Sequence, residues 1–490
     1  MTQSTSPQFT EDRLAVRYDY LGEGHQPYPQ DGHRTHTIAE ALAAPIDVTV
    51  TICGRICAIH DYGTTQIFEI EDESGSIHLL MTKYETESFD KLHNFHTEDF
   101  IRAQGTRILT EDNLLAVIVD QYDMLTKTLR SLPSEDSHIG ENERYLAWSK
   151  NSELRRIFRQ RHWINASIRD LLDAEGYLEA ATPILHSYRG IAPTRPFTTN
   201  LNSSSDTTLY LKKSSASYLK RMIVGGFEKV YEISTTFRNE EITDQNNVEG
   251  TLLECYSAYA DYKDMLMLIQ RLYQNAAIAA TGTDIVYYDL ARPDEKGKTR
   301  SKGIELNFRR QWKCLTVYEA IRDYLGIDVT SLTDVELQET IAQVKGIPVD
   351  LTDLKYKPFI RGLKVTELFK VVEPNFIQPT FIIDFPRDTT AFCKRHRTNP
   401  ELVERLEVYM AGTRVGCAYT ELNDPVLQRE FMEDAHADKT YPIDEELIAA
   451  LEYGMPPTSS MRLNLDRMVM LLTNARNIRD VILFPMIPHA

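Results

Sequence analysis

Cysteine is scarce in this chain: six in 490 residues, with no C-x-x-C pair. That argues against a disulfide framework and against a zinc site of the usual spacing. Cys53 and Cys57 are the closest pair and read as small buried strand residues, not ligands. This usage predicts a reducing compartment, the cytoplasm. Long apolar runs are also missing: none reaches the length of a membrane span, and the polar start MTQSTSPQFTEDR has no signal-peptide core. Positive charge is in deficit, with 54 Lys+Arg against 72 Asp+Glu and a net charge of −18. Such a balance weakens a nucleic-acid reading without removing it, because local basic patches decide such binding. Internal repeats and extended low-complexity segments are absent. What is present is 42% hydrophobic and 26% charged, the composition of a soluble globular protein. At this length the chain buries a large core in more than one domain.

Residues 1–44 are mixed and polar and read as an N-terminal arm. From 45 to 132 the pattern changes to short alternating runs: Val48, Val50 and Ile52; Ile67, Phe68 and Ile70; Ile77, Leu79 and Leu80; then Val117 to Val119. Turn signals separate them at Asp61-Tyr62-Gly63, Asp72-Glu73-Ser74-Gly75 and Glu111-Asp112-Asn113. About five such strands predict a small closed β-barrel of the OB kind. Residues 133–150 read as a linker. After it Ile157, Ile164, Ile168, Leu171 and Leu172 fall on one helical face, with Gly176 near the stop. The remainder, 151–490, alternates strand-like and helix-like segments. A helical insert is expected over about 310–365, where Val317, Ile321 and Leu325 keep helical spacing.

The stretch Phe237-Arg238-Asn239-Glu240, with Leu252-Leu253-Glu254-Cys255-Tyr256 after it, resembles motif 2 of the class II lysyl-tRNA synthetases. Other blocks follow in the family's order. Leu178-Glu179-Ala180-Ala181-Thr182-Pro183 resembles motif 1, the dimer-forming element. Tyr218-Leu219-Lys220-Arg221, Gln378-Pro379-Thr380-Phe381, Lys394-Arg395-His396-Arg397, Glu421-Leu422-Asn423-Asp424 and Ile478 to Pro485 continue the match. The resemblance covers roughly residues 45–490. It implies an α+β fold: a class II antiparallel sheet with flanking helices, preceded by an OB barrel. It also implies a homodimer, with ATP and Mg²⁺ as cofactors.

In that family an amino-acid carboxylate attacks the α-phosphate of ATP, so a fixed guanidinium must neutralise two anions at once. By resemblance this is Arg238, and Arg467, in Asp466-Arg467, holds the outer phosphates. The lysine ammonium is held by carboxylates and a tyrosine, which fall on Glu254, Tyr256 and Glu421; Glu240 of motif 2 joins the substrate-binding set. Buried carboxylates without a cation are costly. Either a ligand with a terminal amine satisfies them, or protein cations such as Arg462 or Arg414 do.

Other positions depart from the family. The glutamate that reads the α-amino group is Ala216, and an asparagine near the carboxylate is Cys417. Losing one charge-assisted hydrogen bond costs about 1.5–3 kcal/mol. The His-Asn-Pro-Glu-Phe segment has become Asn246 to Gly250, so Gly250 stands where a phenylalanine stacks on adenine, a contact worth about 1–3 kcal/mol. The phosphate-contacting arginine before it is Gln245. Glu407 keeps one metal-binding position, but its partner is Arg414, and the two face each other across an expected hairpin at Ala411-Gly412. Magnesium needs oxygen ligands, so an ion pair in place of metal is one outcome. In motif 3 the family's glycines are replaced, with Arg462 and Asn464 adding side chains where nucleotide lies. Together these changes predict altered or lost ATP binding.

The barrel offers little to tRNA. From Ala44 to Arg130 there are 7 Lys+Arg and 15 Asp+Glu, a net of −8, while phosphate neutralisation supplies much of nucleic-acid affinity. Tyr62 and Phe68 have rings that stack on bases, yet core or surface roles suit them better. tRNA is therefore not the expected partner; a lysine-like small molecule is. Three readings stay open: a ligase joining a lysine-like amine to a non-tRNA acceptor, an inactive homologue with a binding or regulatory role, and a functional lysyl-tRNA synthetase of unusual sequence.

Overall fold

The computed structural model describes residues 10–110, 112–133, 143–189, 195–293, 299–346, 361–390, 392–435 and 443–487. The chain divides into two units, Met1–Ser152 and Glu153–Ala490. Part of the expected linker (134–142) and part of the expected helical insert (347–360) lie outside the described residues, as does Glu111 of the third turn. Among the described residues no helix is long and apolar enough to cross a membrane.

The first unit contains a closed five-stranded barrel built from Thr49–Asp61, Thr65–Glu71, Ser76–Thr82, Phe100–Leu109 and Leu115–Thr126. Alternation drives it: Val50, Ile52, Phe68, Ile70, Leu79, Met81, Ile101 and Val119 all point into one core. Phe68 is fully buried there, edge-on to Phe95, and Tyr62 is exposed at a strand-joining turn. Asp72 closes its turn by accepting from the amides of Ser74 and Gly75. Gly105 has no alternative, because a Cβ there would sit 1.9 Å from the Ile118 carbonyl oxygen. Cys53 and Cys57 depart from expectation. Cys53 is half-buried and Cys57 exposed, because inward positions of that strand are Val50, Ile52, Gly54 and Ile56. Among the described residues no cluster of His, Cys, Asp or Glu suits a metal ion.

The second unit is built on an eight-stranded sheet. Its order is Lys313–Thr316, Thr380–Pro386, Leu402–Met410, Thr413–Thr420, Thr458–Asn464, Glu249–Ala258, Lys229–Phe237 and Leu178–Glu179. The six inner strands run antiparallel, and only the two edge pairings are parallel. One face is apolar: Leu253, Cys255, Met461, Leu463, Ala418 and Val408 join residues of the helices Ser152–Ala174, Tyr262–Thr281 and Leu465–Thr473 in one core. The alternate residues of the same strands, Glu254, Tyr256, Ser460, Arg462, Cys417 and Tyr419, therefore share the other face. On that side Leu219 and Ile223 of helix Ala216–Val224 pack with Leu447, Ile448 and Leu451 of helix Glu445–Glu452. The stretch expected as a helical insert holds helices Val317–Leu325 and Asp334–Lys345, but also the edge strand Lys313–Thr316, which four residues of near-continuous sequence did not announce.

Lys127 and Asp99 form a fully buried pair at 2.8 Å in the first unit. Asp99 also accepts from Thr128, and Lys127 donates to the Asn94 carbonyl. Removing the cation strands a buried carboxylate. Lys127→Met is expected to cost about 3–5 kcal/mol, read as lost hydrogen-exchange protection in the barrel strands.

Candidate functional site

Strand register places the chemistry. Glu232 lies opposite Glu254, Glu254 opposite Arg462, Arg462 opposite Cys417, and Cys417 opposite Glu407. One lateral row across five strands thus carries three carboxylates, one guanidinium and one thiol on the polar face. Beside it a pocket of about 300 Å³ opens between the sheet and the helix Ala216–Val224, lined by Arg238, Glu254, Tyr256, Glu421 and Arg462 among others.

Glu254 is 1% exposed. Its Oε1 accepts from Arg462 Nε at 2.8 Å and from Ser214 Oγ at 2.7 Å, with Arg462 Nη2 at 2.6 Å. Its Oε2 accepts from the Ser215 amide at 2.6 Å. Burial opposes the Arg462 charge, yet Glu254 beside it raises the guanidinium pKa above its ordinary value. Glu421 is occupied in the same way: Lys220 lies at 2.5 Å, and Ser460 donates its hydroxyl to the other oxygen. Both carboxylates that the resemblance assigns to the lysine ammonium therefore hold a cation of the chain itself. Tyr256 is buried between them, and burial with Glu421 and Glu254 pushes its pKa up.

Glu407, 2% exposed, is enclosed by donors. Its Oε1 takes Arg414 at 2.6 Å and also Arg405; its Oε2 takes the Tyr409 hydroxyl at 2.6 Å. Burial raises the Glu407 pKa, but Arg405 and Arg414 overcome it and hold the carboxyl below its usual value. The turn that makes this possible is Ala411-Gly412, both at positive φ (50° and 73°). At Gly412 a Cβ would come within 2.9 Å of the Pro374 carbonyl oxygen. Magnesium does not fit at Glu407: its oxygens already accept three donors, and its expected partner is a cation.

The arginines that remain suit an anion. Arg238 is exposed and makes no side-chain hydrogen bond among the described residues. Desolvation, Arg462 and Arg414 all lower its pKa, with Glu240 opposing them. Arg467 donates Nη1 to the Arg414 carbonyl at 2.9 Å, while its buried Nε has no acceptor among the described residues. Desolvation, Arg414 and Arg238 lower its pKa as well. Clustered, partly desolvated guanidinium groups with donors to spare match phosphate or carboxylate oxygens. The phosphate end of a nucleotide therefore fits here.

The other altered positions fall outside this cluster. Gly250 presents no ring, though a Cβ there would meet only Asp466 Oδ2 at an ordinary 3.5 Å. Gln245 turns to the Arg476 carbonyl, and Asn246 lies in the same exposed loop, its amide on Thr243. Asn464 caps helix Leu465–Thr473 by accepting from the Arg467 amide at 3.0 Å, so its side chain serves the helix. Cys417 accepts the Tyr419 hydroxyl. Ala216 opens its helix and leaves a gap where the resemblance puts a carboxylate.

Sequence reasoning missed Lys220, Lys213, Ser214 and Asp444, which all line the pocket. Lys220 had a signal: it lies four residues after Ala216, on the same helical face. Asp444 had none, because its contact, Ser217 Oγ at 2.6 Å, is distant in sequence.

An antiparallel six-strand centre with an arginine at the end of its second motif strand defines a class II synthetase catalytic unit. A family model described as tRNA synthetases class II (D, K and N) matches residues 136–488. The Lysine–tRNA ligase of Roseiflexus castenholzii is 39% identical over 97% of this chain and 97% of its own. Those of Chloroflexus aurantiacus and Carboxydothermus hydrogenoformans are 37% and 36% identical, over 96% of this chain in each case and 96% and 97% of their own. The chain belongs to the class II lysyl-tRNA synthetase family.

Two outcomes follow from this geometry. Desolvation, Arg189 and Arg238 push the Lys213 pKa down to about 8. The lysine is charged below that pH and neutral above it, so the side-chain NMR titration of Lys213 should centre near pH ~8, and Lys213→Met should lose that signal. Millimolar magnesium should leave the melting temperature of the protein unchanged, while Arg414→Glu, which replaces the guanidinium by a second carboxylate, should gain a magnesium-dependent rise.

Proposed function

We propose that the chain is a ligase of the lysyl-tRNA synthetase type that activates an amino acid of lysine-like length and joins it to an acceptor other than tRNA. The observation that carries this reading is Arg238: a guanidinium without an acceptor among the described residues, lining an amino-acid-sized pocket. A carboxylate drawn to Arg238 is neutralised there, which lowers the cost of bringing it against a second anion. ATP, when bound, would supply the adenylyl group that activates the acid, with pyrophosphate as the leaving group. Arg467, whose Nη2 makes no hydrogen bond among the described residues, holds the charge that develops on the phosphate side. Glu407 holds no magnesium in this reading, because Arg405, Arg414 and Tyr409 occupy its oxygens.

The relatives are named for tRNA, but the barrel here carries a net −8 between Ala44 and Arg130, and electrostatic neutralisation of phosphates is where such affinity begins. Phe68 is unavailable for stacking because it lies in the barrel core. The working form in this proposal is a homodimer, supported by exposed Leu178, Ile184 and Leu185 around the motif 1 element.

A second reading is favoured by one observation, the ring of donors around Glu407. In it the chain binds its ligand but performs no chemistry, acting as a regulatory or binding homologue.

ATP–pyrophosphate exchange with lysine and lysine derivatives, followed by tRNA charging, separates these readings. Exchange with a derivative and no charging is the expected result. Arg238→Ala should then lower the exchange rate by about 10²–10³-fold. Robust lysyl-tRNA formation overturns the proposal. No exchange with any acid, together with retained ligand binding, leaves the second reading.

A further inference from the structure

The two carboxylates at the inner end of the pocket are not open to a ligand ammonium. Glu254 already binds Arg462 through Nε and Nη2, and Glu421 already binds Lys220. Arg462 is further fixed by donating to Ser214 Oγ at 2.7 Å. To reach Glu254, an incoming amine must expel a guanidinium from a part-buried two-nitrogen contact. It must also enter a pocket lined by more cationic side chains than carboxylates, five against three. The donors that stay available point the other way. Arg462 Nη1 makes no hydrogen bond among the described residues. A ligand atom that accepts hydrogen bonds meets that donor without displacing anything.

We propose that Arg462 is a resident substitute for the substrate ammonium, and that the pocket selects an amino acid whose side chain ends in a hydrogen-bond acceptor. A carboxylate and an amide carbonyl both have this chemistry. The proposal rests on the reading of this pocket as an amino-acid site, and it changes which amino acid that is. Arg462 acts here as a specificity-determining residue: it satisfies Glu254 and presents its remaining N–H groups to the ligand. An amine is refused because its charge meets a guanidinium first, the repulsive side of selectivity.

Calorimetric titration of the full chain with L-2-aminoadipate, Nε-acetyl-L-lysine and L-lysine tests this directly. The protein should bind at least one acceptor-ended acid about tenfold or more tightly than lysine. Preference for aminoadipate identifies the carboxylate class, and preference for acetyl-lysine the amide class. Arg462→Gly frees Glu254 and should reverse the order, lysine gaining about tenfold and the acceptor-ended acids losing. Because that variant leaves a buried carboxylate without its cation, Glu254→Gln provides a second arm. It keeps the packing and releases Arg462, so the preferred acceptor-ended acid should bind more tightly while lysine stays excluded. Lysine binding as tight as the better-bound of the two analogues overturns the proposal, as does the absence of binding by all three. Binding in the predicted order without pyrophosphate exchange removes the ligase reading and leaves this one. Exchange driven by tightly bound lysine does the reverse.

Discussion

The contact between Arg462 and Glu254 is the interaction on which the site depends. A carboxylate 1% exposed in the middle of an antiparallel sheet needs a cation. Here the neighbouring strand supplies it, at 2.6 Å and directly across the register. The consequences spread outward. Ser214 and Ser215, at the start of the helix that roofs the pocket, are tied to the same carboxylate. The roof is thereby held against the floor without a ligand. The pocket keeps its shape while its inner end becomes cationic.

The same solution recurs twice around it. Lys220 stands on Glu421, and Arg414 with Arg405 stands on Glu407. In each case a carboxylate that resemblance gives to a ligand or a metal is closed by a cation of the chain. The arginines without such a role, Arg238 and Arg467, keep donors unspent. Internal ion pairs of this kind contribute modestly to stability, because desolvation offsets most of the attraction. In the reading proposed above their effect is on selectivity, because an inner end closed by cations favours anions and acceptors.

Much of this was legible in the sequence, residue by residue. Glu407 and Arg414 flank Ala411-Gly412, so a two-residue hairpin brings them together, and a spacing of seven suffices to expect it. Residue type alone makes Arg462 a candidate cation for the pocket carboxylates, but the partner it takes is set by register. Asn464 was harder. Its side chain was expected in the nucleotide space, but it caps the helix that begins at Leu465, a local hydrogen bond that outweighs any distant role. Lys220 belongs to the Tyr218-Leu219-Lys220-Arg221 block, and only the helix face shows that it reaches Glu421. Cys57 was misplaced because strand parity, not cysteine's usual burial, decides which side it faces.

By itself the sequence determined the α+β class, the barrel and the synthetase family. These depend on periodicity and on residue types at fixed spacing, which are written along the chain. Only the tertiary structure decided who neutralises whom. Glu254 and Arg462 are 208 residues apart, and no local pattern couples them. Their pairing follows from which strands lie side by side and in what register, because a buried charge takes the nearest opposite charge the fold places within reach.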